Sequence, residues 1–320
     1  MMSRLAALLL LLCTSLAQAA APTVLQRPID LDTGQGVLHG SLLLPQEQTP
    51  PPVVLIVAGS GPTDRNGNNP ASGRLDNLKR LALLLAGEHI ASVRFDKRGV
   101  AASQPATPDE RDLSVERYVA DVVAWSRMLK ADPRFGPLIL LGHSEGALIA
   151  SLAAEQAGAS AVITVAGSGR PVADVLREQL AQRLPPAQLA QGNAVIDRLQ
   201  AGQTTLDVPA PLREVFRPSV QPYLISLLRQ DPAAAFARLP MPALILQGRN
   251  DVQVEVADAE RLKAAKPDAQ LVVIEGMNHM LRISPRDMSQ QRDSYRNPAL
   301  PLARELGERI VAFVRQVARE

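Results

Sequence analysis

From position 53 onward, short apolar-rich runs alternate with longer stretches in which apolar residues recur every three or four positions. The runs at 53–57, 91–95, 138–141 and 161–165 have strand length. The stretches between them, 75–86, 115–130 and 147–155, have the period of amphipathic helices. Because polar positions within the runs are few, both faces of each strand are expected to be covered, which is the pattern of parallel βαβ units. Upstream, 24–29 and 37–44 flank Thr33-Gly34-Gln35-Gly36, a β-hairpin by its turn residues, and the proline-rich stretch 45–52 then breaks the pattern. The alternation stops at Gly167-Ser168-Gly169 and resumes with a strand at 243–246, a helix at 256–265, a strand at 271–274 and a last helix near 302–317. Positions between these blocks read only as helices, at 172–184, 187–199 and 212–229, the last kinked or split at Pro218 and Pro222. An all-helical insertion between two strands is expected to cap the carboxyl ends of the sheet, where open α/β sheets bind ligands. The expected organisation is a leader at 1–19, a first core part at 20–169, a cap at 170–240 and a second core part at 241–320.

The first residues change the picture of where the chain works. Met1-Met2-Ser3-Arg4, the apolar run to Leu12 and Ala17-Gln18-Ala19 follow the charged, apolar and small-residue order of an export signal, with cleavage expected after Ala19. The apolar run is shorter than the roughly 20 residues of a spanning helix, so a periplasmic or secreted protein without a stable membrane anchor is expected. The chain's single cysteine, Cys13, lies inside this leader. Leu12 stands where a lipidation signal would place a small residue, so Cys13 is not expected to carry lipid. Removal of the leader leaves no disulfide, thiol nucleophile or thiolate metal site, and the fold must rest on its core. The 34 Lys and Arg nearly balance the 32 Asp and Glu, and no basic block is interleaved with aromatics, so no nucleic-acid partner is expected. The four histidines are isolated, and neither a metal nor a cofactor is implied.

The run at 138–141 breaks into Gly142-His143-Ser144-Glu145-Gly146 and passes straight into a helix-forming stretch. Gly-X-Ser-X-Gly between strand and helix reads as a sharp turn that lifts the serine hydroxyl clear of the sheet, with glycines where the backbone must cross closely. A serine hydroxyl is a weak nucleophile at neutral pH and needs an imidazole, which in turn needs a carboxylate to fix its tautomer. Gln247-Gly248-Arg249-Asn250-Asp251 follows one late strand and Gly276-Met277-Asn278-His279 follows the next, so Asp251 and His279 can meet Ser144 above one edge of the sheet. His143 is expected to pack, His39 lies on the hairpin, and His89 lies near a helix C-terminus. Asp258 and Asp268 read as surface residues. An oxyanion would be held by the N–H groups of Glu145, next to the serine, and of Ser60, in the loop Ala58-Gly59-Ser60-Gly61-Pro62 after the strand at 53–57. Asp64-Arg65-Asn66-Gly67-Asn68-Asn69 extends that loop, either as a contact for substrate or cap or as a solvated turn. In the last cap segment, Phe216, Tyr223 and Leu227 are candidate substrate contacts, although the same face can simply pack on the main domain. The Arg- and Ser-rich stretch 281–298 is either a second rim of the site or surface loop, and the lone tryptophan, Trp125, reads as core.

These motifs resemble the α/β-hydrolase superfamily over nearly the whole chain after the leader. The resemblance rests on Gly142-His143-Ser144-Glu145-Gly146, on Gly248-Arg249-Asn250-Asp251-Val252-Gln253-Val254, on Asn278-His279, on Arg94-Phe95-Asp96-Lys97-Arg98-Gly99, and on the chain order Ser, Asp, His. Gly59-Ser60-Gly61-Pro62-Thr63-Asp64-Arg65-Asn66-Gly67-Asn68 is similar to the loop of a bacterial secreted esterase group related to prolyl-oligopeptidase-like hydrolases. The resemblance implies hydrolysis of small-molecule carboxylic esters with small to medium acyl groups. An acyl peptidase or acyltransferase would use the same triad, and a non-catalytic binding protein on this fold would be expected to lack a member of it. Two positions depart from the family pattern: Ala58 replaces a histidine before the oxyanion glycine, and Ala101 replaces a glycine in Gly99-Val100-Ala101-Ala102-Ser103.

Overall fold

The computed structural model describes residues 23–71 and 73–319. The expected leader, 1–19, lies outside them. Eight strands form one sheet in the order β1-β2-β4-β3-β5-β6-β7-β8. Val24–Asp32 (β1) and Val37–Pro45 (β2) are the antiparallel hairpin, closed where the Thr33 N–H and hydroxyl both donate to the Gly36 carbonyl. β2 is also antiparallel to Ala91–Phe95 (β4), whereas Val53–Val57 (β3), β4, Leu138–His143 (β5), Ala161–Val165 (β6), Ala243–Gly248 (β7) and Gln270–Ile274 (β8) run parallel.

Every residue of β3 to β7 is buried, the property that made these runs legible as apolar segments. The alternation of side chains divides them between two layers. Val53, Leu55, Val57, Leu138 and Leu140 join a core with Val115–Ala131 (α2) and Glu145–Ala157 (α3). Val54, Ile56, Ile139 and Leu141 join the opposite core, with Asn77–Gly87 (α1) and the C-terminal helix Arg304–Val317. Trp125 of α2 is fully buried against Phe95, as expected of a core residue.

Between β6 and β7 the chain makes helices Val172–Ala181 (α4), Pro186–Gln200 (α5), Arg213–Phe216 (α6), Gln221–Leu228 (α7) and Pro232–Ala237 (α8). The expected third helix, 212–229, is interrupted at 217–220 around Pro218, but Pro222 sits in the first turn of α7, where its missing N–H costs nothing. The segment has its own small core, with Ala173, Val195, Ile196, Leu199 and Phe216 at its centre. Val256–Ala265 (α9), Met288–Ser294 (α10) and Arg304–Val317 (α11) complete the chain. Among the described residues no helix is long and apolar enough to cross a membrane.

Candidate active site

The geometry of the Ser144 turn follows from its two glycines. An added Cβ at Gly142 would lie 2.1 Å from the Gly146 carbonyl oxygen, and one at Gly146 would lie 2.3 Å from the Val57 carbonyl oxygen. With those side chains absent, α3 starts directly against the end of β3. Ser144 joins the end of β5 to the start of α3 with φ 56° and ψ −122°, a conformation that costs a non-glycine residue free energy. Its N–H donates to the Val165 carbonyl at 2.9 Å, and its carbonyl accepts from Ala147 N–H at 2.9 Å. Pinned at both ends, the residue presents its side chain above the sheet while the first N–H groups of α3 remain without intrahelical acceptors.

Two further loops carry the partners. Gly248, at the end of β7, is another close crossing: a Cβ there would meet the Met277 carbonyl oxygen at 2.1 Å. Asn250 N–H donates to the same Met277 carbonyl at 3.0 Å, so the loops after β7 and β8 are stitched together. His279 Nδ1 donates to Asp251 Oδ2 at 2.7 Å. Asp251 is buried and also accepts from the N–H groups of Gln253 at 2.8 Å and Val254 at 3.0 Å. Burial alone would raise its pKa. The charge and hydrogen bond of His279, with those two N–H groups, outweigh burial and hold the carboxyl below its ordinary value.

His143 does more than pack. Its Nε2 donates to the His279 carbonyl at 2.9 Å, with the two rings 5.0 Å apart, so it braces the loop that carries His279. Burial, then the neighbouring His279, lowers the His143 pKa to about 4, so its ring is neutral at physiological pH. The other two histidines lie elsewhere, His39 on Asp30 at 2.9 Å and His89 on Glu47.

Ser144, His279, Ser60 and Gln253 form the shared wall of two cavities. One, of about 240 Å³, is of mixed character, with Thr63, Asn69, Asn77, Leu75, Met280 and Tyr295 on its wall. The other, of about 230 Å³, is bounded by Glu145, Leu148, Val172, Val175, Leu176 and Leu227. Of the residues expected to meet substrate, Leu227 is on this second wall. Phe216 is instead enclosed in the core of the inserted helices, and Tyr223 packs edge-on against Tyr118 with ring centroids 5.7 Å apart; neither is on either wall. The apolar wall comes mainly from α4. Its Val172, Val175, Leu176 and Gln179 have the i, i+3, i+4, i+7 spacing of one helical face, a signal present in the sequence on a different helix from the one singled out.

The loop at 64–69 is internally braced rather than a solvated turn. Asp64 Oδ1 accepts from the N–H groups of Asn66 and Asn68, both at 2.8 Å, Arg65 N–H donates to Asp96 at 2.7 Å, and Asn68 Oδ1 accepts from Leu75 and Asp76 N–H. One other expectation is corrected, that Asp258 lies at the surface. Asp258 is fully buried and accepts from Ser168 Oγ at 2.9 Å, Gly169 N–H at 3.0 Å and Arg170 Nη2 at 3.1 Å, because the chain entering α4 folds back on the start of α9. Of the two readings of 281–298, the rim has Tyr295 on the wall of the first cavity, while Arg282 is fully buried without a carboxylate. Its guanidinium donates to the carbonyls of Leu75 at 2.7 Å and Ser294 at 3.2 Å, tying the His279 loop to the approach to α1.

The α/β arrangement with a serine at a strand-to-helix turn and an Asp-His pair on later loops defines a class of protein. The chain belongs to the alpha/beta hydrolase family, whose model matches residues 53–291. Among curated proteins it is similar to Esterase EstD of Thermotoga maritima, 28% identical over 249 residues, which are 76% of this chain and 58% of that protein. The chain thus matches less than two thirds of the curated relative's length. Among solved structures it resembles Est1E from Butyrivibrio proteoclasticus, with TM-score 0.58 and 15% identity over 92% of this chain and 99% of the other. It also resembles the esterase domain of a Rhodothermus marinus protein, with TM-score 0.56 and 18% identity over 91% of this chain and 98% of the other. At these identities the structural likeness concerns the fold.

Proposed function

We propose that the protein is a serine hydrolase of carboxylic esters with small to medium acyl groups. The observation that carries the reading is that Ser144 and His279 share the wall between two cavities, with Asp251 locked behind His279. His279 takes the Ser144 proton as the oxygen attacks the ester carbonyl, and the N–H groups of Glu145 and Ser60 hold the resulting oxyanion. His279 passes the proton to the departing alcohol, leaving an acyl-enzyme. It then takes a proton from water, whose oxygen attacks the acyl carbon; collapse releases the acid and returns the proton to Ser144. Asp251 stays ionised, orients the ring and stabilises the imidazolium. The apolar cavity under α4 takes the acyl chain, the cavity bordered by Asn69 and Asn77 takes the alcohol, and the helices of 172–237 act as the cap that closes the acyl side. No cofactor enters this scheme. The name of the Thermotoga maritima relative supports the ester assignment.

The test is hydrolysis of nitrophenyl esters from acetate to decanoate by the wild type and Ser144→Ala, with a serine-directed phosphonate and mass spectrometry alongside. Turnover should fall by about 10⁴-fold or more in Ser144→Ala at unchanged melting temperature, and the adduct should map to Ser144. Activity surviving the substitution, or an adduct elsewhere, would overturn the assignment.

A further inference from the structure

Behind the site lies a buried cation that the hydrolytic scheme leaves unused. Lys97 follows β4 and is 2% exposed. Its Nζ donates to the Gly59 carbonyl, stands 3.8 Å from Glu145 Oε1 and lies 5.2 Å from the centre of the Tyr118 ring. Tyr223 of α7 closes the chamber by packing on Tyr118. An ammonium removed from water is costly unless its contacts repay it, and an apolar side chain of the same length would fill this space at lower cost.

The position of the contacts suggests what repays it. The Gly59 carbonyl and the Ser60 N–H are opposite ends of one planar peptide unit. A cation on the carbonyl end holds that plane in one orientation and draws charge from the N–H end, making it a stronger donor. The second oxyanion donor is the backbone N–H of Glu145, and the side chain of the same residue faces the same ammonium. The loop after β3 and the start of α3 are therefore tied together through a single group, directly beneath the two N–H groups that must converge on one oxygen. We propose that Lys97 is a positioning residue of the oxyanion hole, orienting and polarising the Gly59–Ser60 peptide through its bond to the Gly59 carbonyl. The inference rests on the serine-hydrolase reading and concerns the transition state only.

The titratable groups facing Lys97 are Glu145 of α3 and Tyr118 of α2, with Tyr223 behind them and His143 near Gly59. Burial raises both phenols, with Glu145 adding to the effect, and lowers His143 to about 4, so these three stay neutral through the mildly alkaline range. Burial, partly offset by Glu145, lowers Lys97 below the ordinary lysine value. Loss of its proton should therefore appear as an alkaline fall in kcat.

The experiment measures kcat, KM and inhibition by an arylboronic acid, which forms a tetrahedral adduct on the serine, for the full chain and for Lys97→Met, Lys97→Arg and Lys97→Met/Glu145→Gln. The double variant removes the carboxylate that Lys97→Met alone would leave buried and uncompensated. Both Met variants should lose about tenfold to a hundredfold in kcat and in boronate affinity, with KM within about twofold and no alkaline fall. Lys97→Arg should recover most of the rate and hold it to higher pH. Folded Met variants with wild-type kcat, or with a raised KM and normal kcat, would overturn the inference. Should the Met variants fail to fold, an unchanged alkaline profile in Lys97→Arg would overturn it by itself. A wild type inactive toward every ester would instead reject the serine-hydrolase reading.

Discussion

Gly146 and Gly192 differ in what surrounds them, and the difference separates the rigid half of the site from the adaptable half. A methyl on Gly146, under the Ser144 turn, meets the backbone carbonyl oxygens of Val57 at 2.3 Å and Ala58 at 2.7 Å. A methyl on Gly192, in α5 of the inserted helices, meets the Cδ1 atoms of Leu180 and Leu212 at 3.2 Å and of Leu184 at 4.0 Å. Backbone crossings cannot yield without moving a strand, whereas the ends of leucine side chains change rotamer. Ser144 is thus held by contacts with no freedom, whereas α4, whose Val172, Val175 and Leu176 border the second cavity, meets α5 through side chains that can repack. One fold can keep the Ser144 turn fixed while the shape of the cavity beside it drifts.

The contrast is sharpest in a pair of alanine substitutions. Gly146→Ala should destabilise by about 4 kcal/mol or more and abolish ester hydrolysis, because β3 must separate from α3. Gly192→Ala should change stability by less than about 1 kcal/mol, since better helix propensity offsets the closer leucine contacts. Urea denaturation of both measures the difference, and equal losses would erase the distinction between the two halves.

Next in size is a pH effect on the rigid side. His143 is buried and its pKa is lowered from 6.5 to about 4. Between those values the unfolded chain binds the proton and the folded chain does not, so stability falls as pH drops through the window and levels off below it. The linked free energy is roughly 3 kcal/mol. His143→Gln, which keeps an N–H for the His279 carbonyl but does not titrate, should flatten the melting-temperature curve between pH 4 and 6.5. A variant with the wild-type slope would show that other groups control acid unfolding.

The same division explains what the sequence disclosed. Strands β3 to β7 are buried on both faces, so their composition alone marks them, and the glycines at 142 and 146 mark the turn because no other residue fits. Asp251 and His279 were legible because each follows a strand end. The buried role of Asp258 was not, since its partner Arg170 lies 88 positions away and its own helix reads as polar. The pairing of Glu255 with Asp258 three positions on, a helix-start pattern, was the available sign. Arg282 looks like a surface arginine in sequence because its partners are backbone carbonyls, which no composition reveals. The cavity-lining face was assigned to the last inserted helices rather than to α4 because both have apolar faces, and only the packing distinguishes wall from core.

On the adaptable side, Leu176 of α4 borders the apolar cavity. Leu176→Ala should lower kcat/KM for hexanoate relative to acetate about fivefold to tenfold, the effect of one or two lost methylene contacts, while Ser144 labelling by a small phosphonate stays normal. An unchanged chain-length profile would place the acyl group elsewhere.

The smallest expected effect returns to the rigid half. Ala101 replaces a glycine of the family pattern, and the backbone keeps the conformation that glycine favours, with φ 45°. It opens two turns of 3-10 helix, Ala101–Ala106, beside Asp96, which accepts from Ala102 N–H at 3.2 Å. The left-handed conformation costs an alanine roughly 1–2 kcal/mol, while glycine loses more chain entropy on folding, by roughly 0.4–1 kcal/mol. Ala101→Gly should therefore stabilise the protein by about 0.5–1 kcal/mol without altering kcat, since the residue is exposed and Asp96 keeps its other bond, from Arg65 N–H. Destabilisation on reverting to glycine would mean that the turn draws on the alanine methyl, and that even the exposed edge of the rigid half is set by side-chain packing.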